Sequence, residues 1–408
     1  MTSRRDFVKG ALSALAAGGA VEGARAEQAK DVGKAPPPSG GGVFATQPYA
    51  QLIERDAVGL CWLTAQPATG YVTWSQDGWK TSRRVWMQCD GLRDSNSRTH
   101  RALVEGFDPT RPLQWRAHSR PIAGFGAYRI RYAGEEETVE GTLKAFEPRP
   151  DQLSFAMVND IHGHVDAYAP LMDCANGPVD FTVFAGDIVS AASSEDAIRK
   201  GLLEPMAYVT GRTQAPCWYL RGNHETRGDF SRRFRDYLML KNGHYYGSIA
   251  RGPAHIVFLD TGEDKEDGHR EYFGMTDFDA YLAEQTRWLE HEVAGEAWKA
   301  ARFRIVVQHI PAMPGRDLPR LRRLFAPLRE AGVTVMLAAH WHNQQWLDAD
   351  EFRPFPMVVG GAFKVSPSAE KTSGLATLTR CDIEGDALRI RQIFAGSGKV
   401  AVDRVLKS

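Results

Sequence analysis

Two residues with metal-binding side chains stand close together directly after a short apolar run. Asp160 and His162 follow residues 155–158, which read FAMV, with Asn159 and Ile161 as the spacers. Burying a carboxylate or an imidazole without a partner is costly, so folding alone gives no reason to group these side chains at the end of a buried strand. The spacing therefore indicates a site that holds a ligand.

Polar side chains of similar chemistry follow other apolar runs of the sequence. In chain order they are Asp187, Asn223, His224, His309, His340 and His342. Ligands of open α/β folds bind outside the carboxyl ends of strands, where residues distant in sequence meet. Each motif alone is more often a surface loop or a helix cap, but the series in this order predicts one common site.

The donor atoms of this predicted site favour particular metals. Carboxylate oxygens, imidazole nitrogens and an amide oxygen, without a thiolate, suit iron, manganese or zinc. The five cysteines, at positions 61, 89, 174, 217 and 381, show no Cys-x-x-Cys spacing, which argues against a zinc ribbon or a redox dithiol. Cys61 and Cys89 lie on candidate strands, where both a disulfide and two buried thiols are open alternatives.

The elements that position these residues alternate between strands and helices from residue 151 onward. Continuous apolar runs predict strands covered on both faces at LSFAMVN, DFTVFAG, PCWYLRG, HIVFLDT, FRIVVQH and VTVMLAA. The spacing of apolar residues predicts helices at DAIRKGLLEPMAY, DFSRRFRDYLML, FDAYLAEQTRWLEHEV and PRLRRLFAPLREA. The tail, residues 354–405, returns to strands, which we expect to form a second sheet that closes the core.

The region before residue 151 contains three segments of different composition. Residues 1–26 resemble a twin-arginine signal peptide, with SRRDFVK, a weakly apolar run and a cleavage-like Ala24-Arg25-Ala26, which implies the twin-arginine export machinery and a periplasmic or secreted protein. Residues 27–42 are rich in Pro and Gly and predict a linker. Residues 43–148 alternate with turn residues, which predicts a small β-sandwich before a catalytic domain at 151–408.

The charge balance excludes some classes of partner. The 408 residues include 50 basic and 50 acidic ones, so no overall charge attracts nucleic acid or an anionic membrane surface. We therefore expect no stable binding of nucleic acid. The apolar run of the leader is too short to span a bilayer, so we also expect no transmembrane segment.

Five blocks at the strand ends resemble the calcineurin-like metallophosphoesterase superfamily over residues 155–363. They are DIH, GDIVS, RGNHE, VVQHIP and AHWH. The preceding strands and the EQTRWLE helix look like purple acid phosphatases and their bacterial relatives. This resemblance implies an α/β, four-layer αββα metallophosphoesterase fold preceded by a small fibronectin-III-like β-sandwich.

The resemblance also implies two metal ions per chain, each with its own ligands. The first ion is assigned to Asp160, His162 and His342, the second to Asn223, His309 and His340, and Asp187 bridges both. In this family, a hydroxide held between the two ions attacks the phosphorus atom. His224 is not a ligand in this scheme, but assists the leaving group as a proton donor and stabilises the phosphoryl oxygens. No ligand role falls to His164, which we expect in the loop or behind the ligands.

Two positions depart from the purple acid phosphatase pattern. The first block has His162 where those enzymes have glycine, which adds a ligand as in the wider superfamily. The second block ends in Ser190, where purple acid phosphatases have a tyrosine and serine/threonine phosphatases an aspartate. The opening NDIHGH also resembles 5′-nucleotidases, although their last block ends in Gln where this chain has His342.

Together these observations predict a dinuclear metal-dependent hydrolase of phosphoric esters, a phosphatase that acts on a phosphorylated small molecule or nucleotide. A phosphodiesterase or nucleotide hydrolase with the same site is one alternative, because substrate contacts come from variable loops such as residues 262–275. A cell-envelope binding protein on the same scaffold is a non-catalytic alternative. That alternative requires a degraded site, and every residue of the predicted ligand set is present.

Overall fold

The structure, a computed structural model, describes residues 42–146, 149, 151–311, 313, 318–369 and 373–408. The predicted signal peptide at 1–26 and the predicted linker at 27–42, apart from Gly42, lie outside the described residues. In chain order the strands are β1 (Tyr49–Glu54), β2 (Ala57–Ser75), β3 (Arg83–Val85), β4 (Gln88–Cys89), β5 (Leu92–Arg93), β6 (Ser95–Glu105), β7 (Leu113–Phe125), β8 (Ile130–Tyr132), β9 (Glu137–Leu143), β10 (Gln152–Val158), β11 (Phe181–Ala185), β12 (Cys217–Leu220), β13 (Gly247–Arg251), β14 (Ala254–Leu259), β15 (Phe303–Gln308), β16 (Val335–Ala338), β17 (Gln345–Leu347), β18 (Met357–Val359), β19 (Thr377–Glu384), β20 (Ala387–Phe394) and β21 (Val400–Lys407).

The strands of the described residues form two large sheets. The larger has 13 strands, with the path β21-β20-β19-β10-β11-β12-β1-β2-β7-β8, and β3, β6 and β9 paired alongside. The smaller has six, in the order β13-β14-β15-β16-β18-β17, and β4 pairs only with β5. Strands β10, β11 and β12 are parallel, as are β14, β15 and β16. All six predicted apolar strands are therefore confirmed, divided between the two sheets.

The two sheets pack face to face because their central strands are apolar on both sides. Along β10, Phe155 and Met157 join the core between the sheets, while Ala156 and Val158 join the core on the opposite face. The core between the sheets also contains Ile256 of β14. Alternate side chains of a strand point to opposite faces, so burial on both faces requires a run without polar residues.

Helices cover the outer faces of both sheets. They are α1 (Tyr168–Asp173), α2 (Glu195–Ile198), α3 (Glu204–Thr213), α4 (Phe278–Ala294), α5 (Glu296–Ala300) and α6 (Pro319–Phe325), with a π-helical turn at Arg199–Leu203 and 3₁₀ turns at Val165–Ala167, His224–Thr226, Phe234–Tyr237, Lys241–Gly243, Arg270–Tyr272 and Ala326–Arg329. Met206 of α3 packs in the outer core of the larger sheet, and Leu282 of α4 in that of the smaller sheet. The order of layers is helices, sheet, sheet, helices.

One predicted helix is wrong. The segment DFSRRFRDYLML contains only the 3₁₀ turn Phe234–Tyr237. Backbone amides of this segment form hydrogen bonds with other segments instead. Phe230 N donates to Ala192 O at 2.8 Å, and Met239 N donates to the side chain of Gln51 at 2.7 Å. These tertiary bonds override the local apolar spacing. The helix predicted at PRLRRLFAPLREA is likewise shorter, since α6 ends at Phe325 and continues as a 3₁₀ turn.

The tail and the first strands differ from the expected grouping. The tail does not make a separate second sheet, because β19 pairs with β10 of the larger sheet and β18 with β16 of the smaller sheet. Among the first strands, β1 pairs in parallel with β12 of the larger sheet, with Gln51 opposite Cys217. Residues 43–146 therefore extend the larger sheet within one compact unit, and a fibronectin-III-like sandwich is not delimited. The domain boundary at 148 stays a prediction.

All five cysteines are free thiols, with Cys61 buried in β2 and Cys89 exposed in β4, so these two are not joined in this structure. Among the helices of the described ranges, none combines the length and the apolarity that a membrane span needs.

Candidate metal centre

The predicted site residues come together at the carboxyl ends of strands from both sheets. Asp160 and His162 follow β10, Asp187 follows β11 and Asn223 follows β12, all in the larger sheet. The smaller sheet contributes His309 after β15, and His340 and His342 after β16. The strands of each group run parallel, so their ends share one edge, and the face-to-face packing brings the two edges together.

Three side chains form the first group of candidate donors. The donor atoms of Asp160, His162 and His342 lie within 4.8 Å of one another. His342 Nε2 is 3.3 Å from Asp160 Oδ1 and 3.0 Å from His162 Nε2. The other oxygen of Asp160 accepts hydrogen bonds from the backbone N–H of His340 at 2.9 Å and from Asn159 Nδ2 at 2.6 Å. These bonds fix the carboxylate so that Oδ1 faces the imidazoles.

Asp187 lies between the first group and a second one. Its Oδ2 is 3.2 Å from His309 Nε2, 3.8 Å from His162 Nε2 and 3.9 Å from His224 Nε2. A second group of donor atoms within 4.8 Å consists of Asp187, His309 and His340, and a third, of Asp187, His162 and His224, overlaps the first two. One carboxylate thus faces imidazoles from both groups.

Several of these atoms are buried without a hydrogen-bond partner among the described residues. They include Asp160 Oδ1, Asn223 Oδ1 and His309 Nε2. A buried polar atom without a partner costs about 1–3 kcal/mol, so native structures rarely keep several together. A metal ion would satisfy all three, and their oxygen and nitrogen chemistry fits iron, manganese or zinc.

The backbone at this site is held in an uncommon conformation. Five of the candidate residues have positive φ: Asp160 (56°), His162 (50°), Asp187 (51°), His340 (73°) and His342 (54°). Non-glycine residues rarely adopt this region, and such strain clusters at functional sites. Its occurrence in the loops after three different strands supports a shared functional cause.

Close approach of two loops explains the glycines of the second and third blocks. A Cβ atom on Gly186, whose φ is 84°, would lie 2.6 Å from Gly222 Cα and from His309 Nδ1. A Cβ atom on Gly222 would clash with Asp187. Only glycine at both positions allows the loops after β11 and β12 to touch.

Glu225 is a functional neighbour that the sequence did not identify. This buried carboxylate accepts hydrogen bonds from the backbone N–H groups of Asp187 (3.0 Å), Ile188 (2.7 Å), Val189 (3.2 Å) and Gly222 (2.8 Å). It therefore ties the loop of Asp187 to the loop of Asn223. The only signal in the sequence is a glutamate directly after the Gly-Asn-His motif.

Ser190 and His224 are linked in a way that sequence reasoning missed. His224 Nδ1 lies 2.7 Å from the carbonyl oxygen of Ser190, and Ser190 Oγ donates to the carbonyl of His162 at 2.8 Å. The first bond requires the proton on Nδ1, which leaves Nε2 facing Asp187. Although Ser190 offers no phenolate or carboxylate, its backbone orients His224. Tyr168 of α1, the tyrosine that follows the first block in the sequence, is buried against Phe184.

The electrostatics of the group favour cation binding. Burial lowers the pKa of His162 to about 4, so this imidazole is neutral and keeps a lone pair at neutral pH. Burial alone would lower the pKa of His309, but the Asp187 carboxylate raises it to about 10. Burial would raise the pKa of Asp187, yet the imidazoles of His309, His224 and His162 hold it far below its usual range. Asp187 is thus an ionised carboxylate, and a neighbouring cation stabilises its charge.

His340 and His342 are brought to the site by a turn and not by a strand. On a strand, alternate residues would share a face and reach the same donor group. Strand β16 ends at Ala338, and both histidines lie in the following turn with positive φ. This turn sends them to different donor groups. His164, two residues after the first block, is exposed and stacks on Phe363.

Comparison with known proteins agrees with this arrangement. Residues 153–344 match the family described as calcineurin-like phosphoesterase. The structure is similar to purple acid phosphatase PPD1 from seeds of yellow lupin, Lupinus luteus, with 12% sequence identity, a TM-score of 0.63, and coverage of 90% of this chain and 75% of that one. It is also similar to PhoD, with 13% identity, a TM-score of 0.57 and coverage of 88% of each chain.

At these identities the two structures show a common fold, and no curated protein matches the sequence significantly. The family match covers all five blocks in which the candidate donors lie, from Asp160 to His342. Residues 153–344 therefore belong to the calcineurin-like phosphoesterase family, and the chain is a phosphoric ester hydrolase.

Proposed function

We propose that the site holds two metal ions, with Asp187 as the shared ligand. Asp160, His162 and His342 would hold one ion, and Asn223, His309 and His340 the other. The carrying observation is the set of buried donor atoms around Asp187, several of which have no hydrogen-bond partner among the described residues. Iron, manganese and zinc all suit these donors.

Two ions at this place would lower the pKa of water and neutralise the charge that develops on phosphoryl oxygens. The remaining steps belong to side chains of the chain itself. His224 is oriented by Ser190 so that Nε2 faces the site, 3.9 Å from Asp187 Oδ2. From this position a protonated Nε2 donates to the leaving oxygen.

The reaction we propose is hydrolysis of phosphoric monoesters. Hydrolysis of diesters or nucleotides on the same site is the second candidate, because the sequence of the loop at 262–275, where we expect substrate contacts, fits either kind of ester. Metal analysis combined with turnover of p-nitrophenyl phosphate and bis(p-nitrophenyl) phosphate tests both. We expect two ions per chain and faster turnover of the monoester. Faster turnover of the bis-ester would favour the second candidate, and a two-metal protein that cleaves neither would contradict the proposal.

We also propose that the protein reaches the periplasm by twin-arginine export. This proposal rests on the sequence of residues 1–26, which lie outside the described residues. Replacing Arg4 and Arg5 together by Lys should leave the protein in the cytoplasm, as measured by cell fractionation. Undiminished export of this variant would contradict the proposal.

A further inference from the structure

The hairpin formed by β7 and β8 ends the path of the larger sheet and projects its turn into solvent. We call residues 121–134 the β7–β8 hairpin. Within the described ranges, β8 pairs with β7 alone, and every residue of 125–134 is exposed. The turn is closed by a hydrogen bond from Gly126 N to Arg129 O at 3.0 Å. The hairpin therefore presents its side chains to solvent on a hydrogen-bonded backbone.

Four of the exposed side chains in this hairpin are large and apolar or aromatic. Phe125, Ile130 and Tyr132 are 51%, 43% and 44% exposed, and Tyr128, in the turn, is exposed over its whole surface. Phe125 lies opposite Ile130, and Tyr132 follows two residues farther along β8, so these three share one face of the hairpin. Single exposed apolar residues are common on protein surfaces, but a group on one face marks a site of contact.

The same hairpin carries positive charge and no negative residue. Residues 121–134 include Arg129 and Arg131 but neither Asp nor Glu. Both arginines are exposed, and in the part of the chain that the structure describes neither forms an ion pair. Arg131 lies opposite Gly124, and thus on the other face from Phe125. The hairpin therefore combines an apolar face with free cations.

The acidic residues that follow the hairpin are held at its base. Glu135 lies 3.8 Å from Arg120, and Glu136 lies 3.2 Å from His118, both partners being in β7 before the turn. Glu137 accepts a hydrogen bond from a backbone N–H at 2.8 Å. These contacts direct the three carboxylates to partners at the base, so the tip of the hairpin is positive.

The size and charge of this surface fit an anionic membrane surface better than a folded protein. A stable protein interface takes about 20–30 residues from each partner, whereas the hairpin offers four large apolar side chains. A bilayer interface accepts such a small group, because aromatic side chains sit at the level of the headgroups and arginines attract anionic lipids. The chain as a whole is balanced in charge, so this attraction is local.

We propose that the β7–β8 hairpin docks the protein reversibly on membranes that contain anionic phospholipid. Phe125, Tyr128 and Ile130 enter the headgroup region, and Arg129 and Arg131 bind lipid phosphates. Binding through one small patch is weak and falls with added salt, because much of it is electrostatic. The proposal does not depend on the metal centre, so it can fail while the proposed function stands.

Flotation of the full chain with lipid vesicles tests the docking. Vesicles of phosphatidylcholine with an equal amount of phosphatidylglycerol are compared with vesicles of phosphatidylcholine alone. The wild type should bind the anionic vesicles more tightly, by about tenfold or more. Because residues 1–26 also carry positive charge, variants of the hairpin decide the test. The double variant Phe125→Ser, Tyr128→Ser should bind the anionic vesicles about tenfold or more weakly. The double variant Arg129→Gln, Arg131→Gln should show a similar loss, of about tenfold or more.

Two controls separate docking from folding and from general surface effects. Turnover of p-nitrophenyl phosphate should stay at the wild-type rate in both double variants, because the substituted side chains are exposed. Phe273→Ser and Arg322→Gln, at exposed positions of other segments, should bind vesicles like the wild type. Undiminished binding by either double variant would overturn the proposal. A wild type that stays off both kinds of vesicle would also overturn it, as would a dimer in sedimentation that the hairpin variants dissolve, because the hairpin would then join two copies of the chain.

Discussion

The ring of His224 is oriented through Nδ1, which leaves Nε2 facing the candidate metal centre. Its Nδ1 lies 2.7 Å from the carbonyl of Ser190, and its backbone N–H donates to Asp187 Oδ1 at 2.9 Å. The sequence predicted a role for His224 through its motif. The sequence did not predict that the Ser190 carbonyl orients His224, because a contact to the backbone of a distant loop does not depend on the residue type.

Replacing His224 should separate proton transfer from metal binding. In His224→Ala we expect kcat to fall by about 10²- to 10⁴-fold while the metal content stays unchanged, because the role we propose for the side chain is that of an acid and not of a ligand. The loss should be smaller for esters with good leaving groups, which depart without a proton. Steady-state kinetics over a series of leaving groups, with metal analysis of each sample, measures this. An equal loss for all leaving groups would point to an electrostatic role.

The sequence predicted the strands well, but it did not predict the conformation of the loops at the strand ends. The continuous apolar runs predicted β10, β11, β12, β14, β15 and β16, since burial on both faces leaves a clear pattern. The positive φ of Asp160 and His340 and the contact of Gly186 with Gly222 arise from tertiary packing. For the same reason, the segment around Phe234 is a short turn and not the predicted helix.

Glu225 should hold two of these loops together. Glu225→Ala leaves four backbone donors of the loops after β11 and β12 without their acceptor. We expect the free energy of unfolding to fall by about 3 kcal/mol or more, and metal affinity to fall with it, because Asp187 and Asn223 lose their common support. Denaturant unfolding with metal analysis checks both effects. The exposed Glu290→Ala should stay within about 0.5 kcal/mol, and a similarly small change for Glu225→Ala would contradict this role.

At the scale of the whole molecule, one core serves both the early strands and the catalytic part. Trp62 of β2, Phe155 of β10 and Ile256 of β14 belong to the same cluster. The alternation of residues 43–148 predicted strands there correctly. It did not predict that β1 pairs with β12, because a single pattern of alternation fits an added edge of a large sheet as well as a separate sandwich.

The stability of this shared core should depend on pH through His100. This side chain is buried in β6, where its ring stacks on Trp62 with centroids 5.3 Å apart. Burial lowers the pKa of His100 to about 4, below the usual value of about 6.5. Between these values the unfolded chain binds a proton that the folded chain does not. The free energy of unfolding should therefore fall as pH drops from about 6.5 to about 4, by up to about 3 kcal/mol from this residue.

Urea unfolding of the wild type and His100→Gln at pH 7 and pH 4.5 tests this dependence. The variant should lose less stability on acidification than the wild type, because glutamine does not titrate. His291→Gln, at an exposed position, should follow the wild type. Parallel losses in the wild type and His100→Gln would show that another group is responsible.

The central claim is that one carboxylate joins two metal ions, and metal analysis of Asp187→Ala tests it most directly. Asp187 Oδ2 faces His309 at 3.2 Å and His162 at 3.8 Å, which belong to different candidate ligand groups. We predict two ions per chain in the wild type and in the exposed control Asp166→Ala, and loss of both ions together in Asp187→Ala. Full metal content in Asp187→Ala, or a single ion in the wild type, would contradict the account.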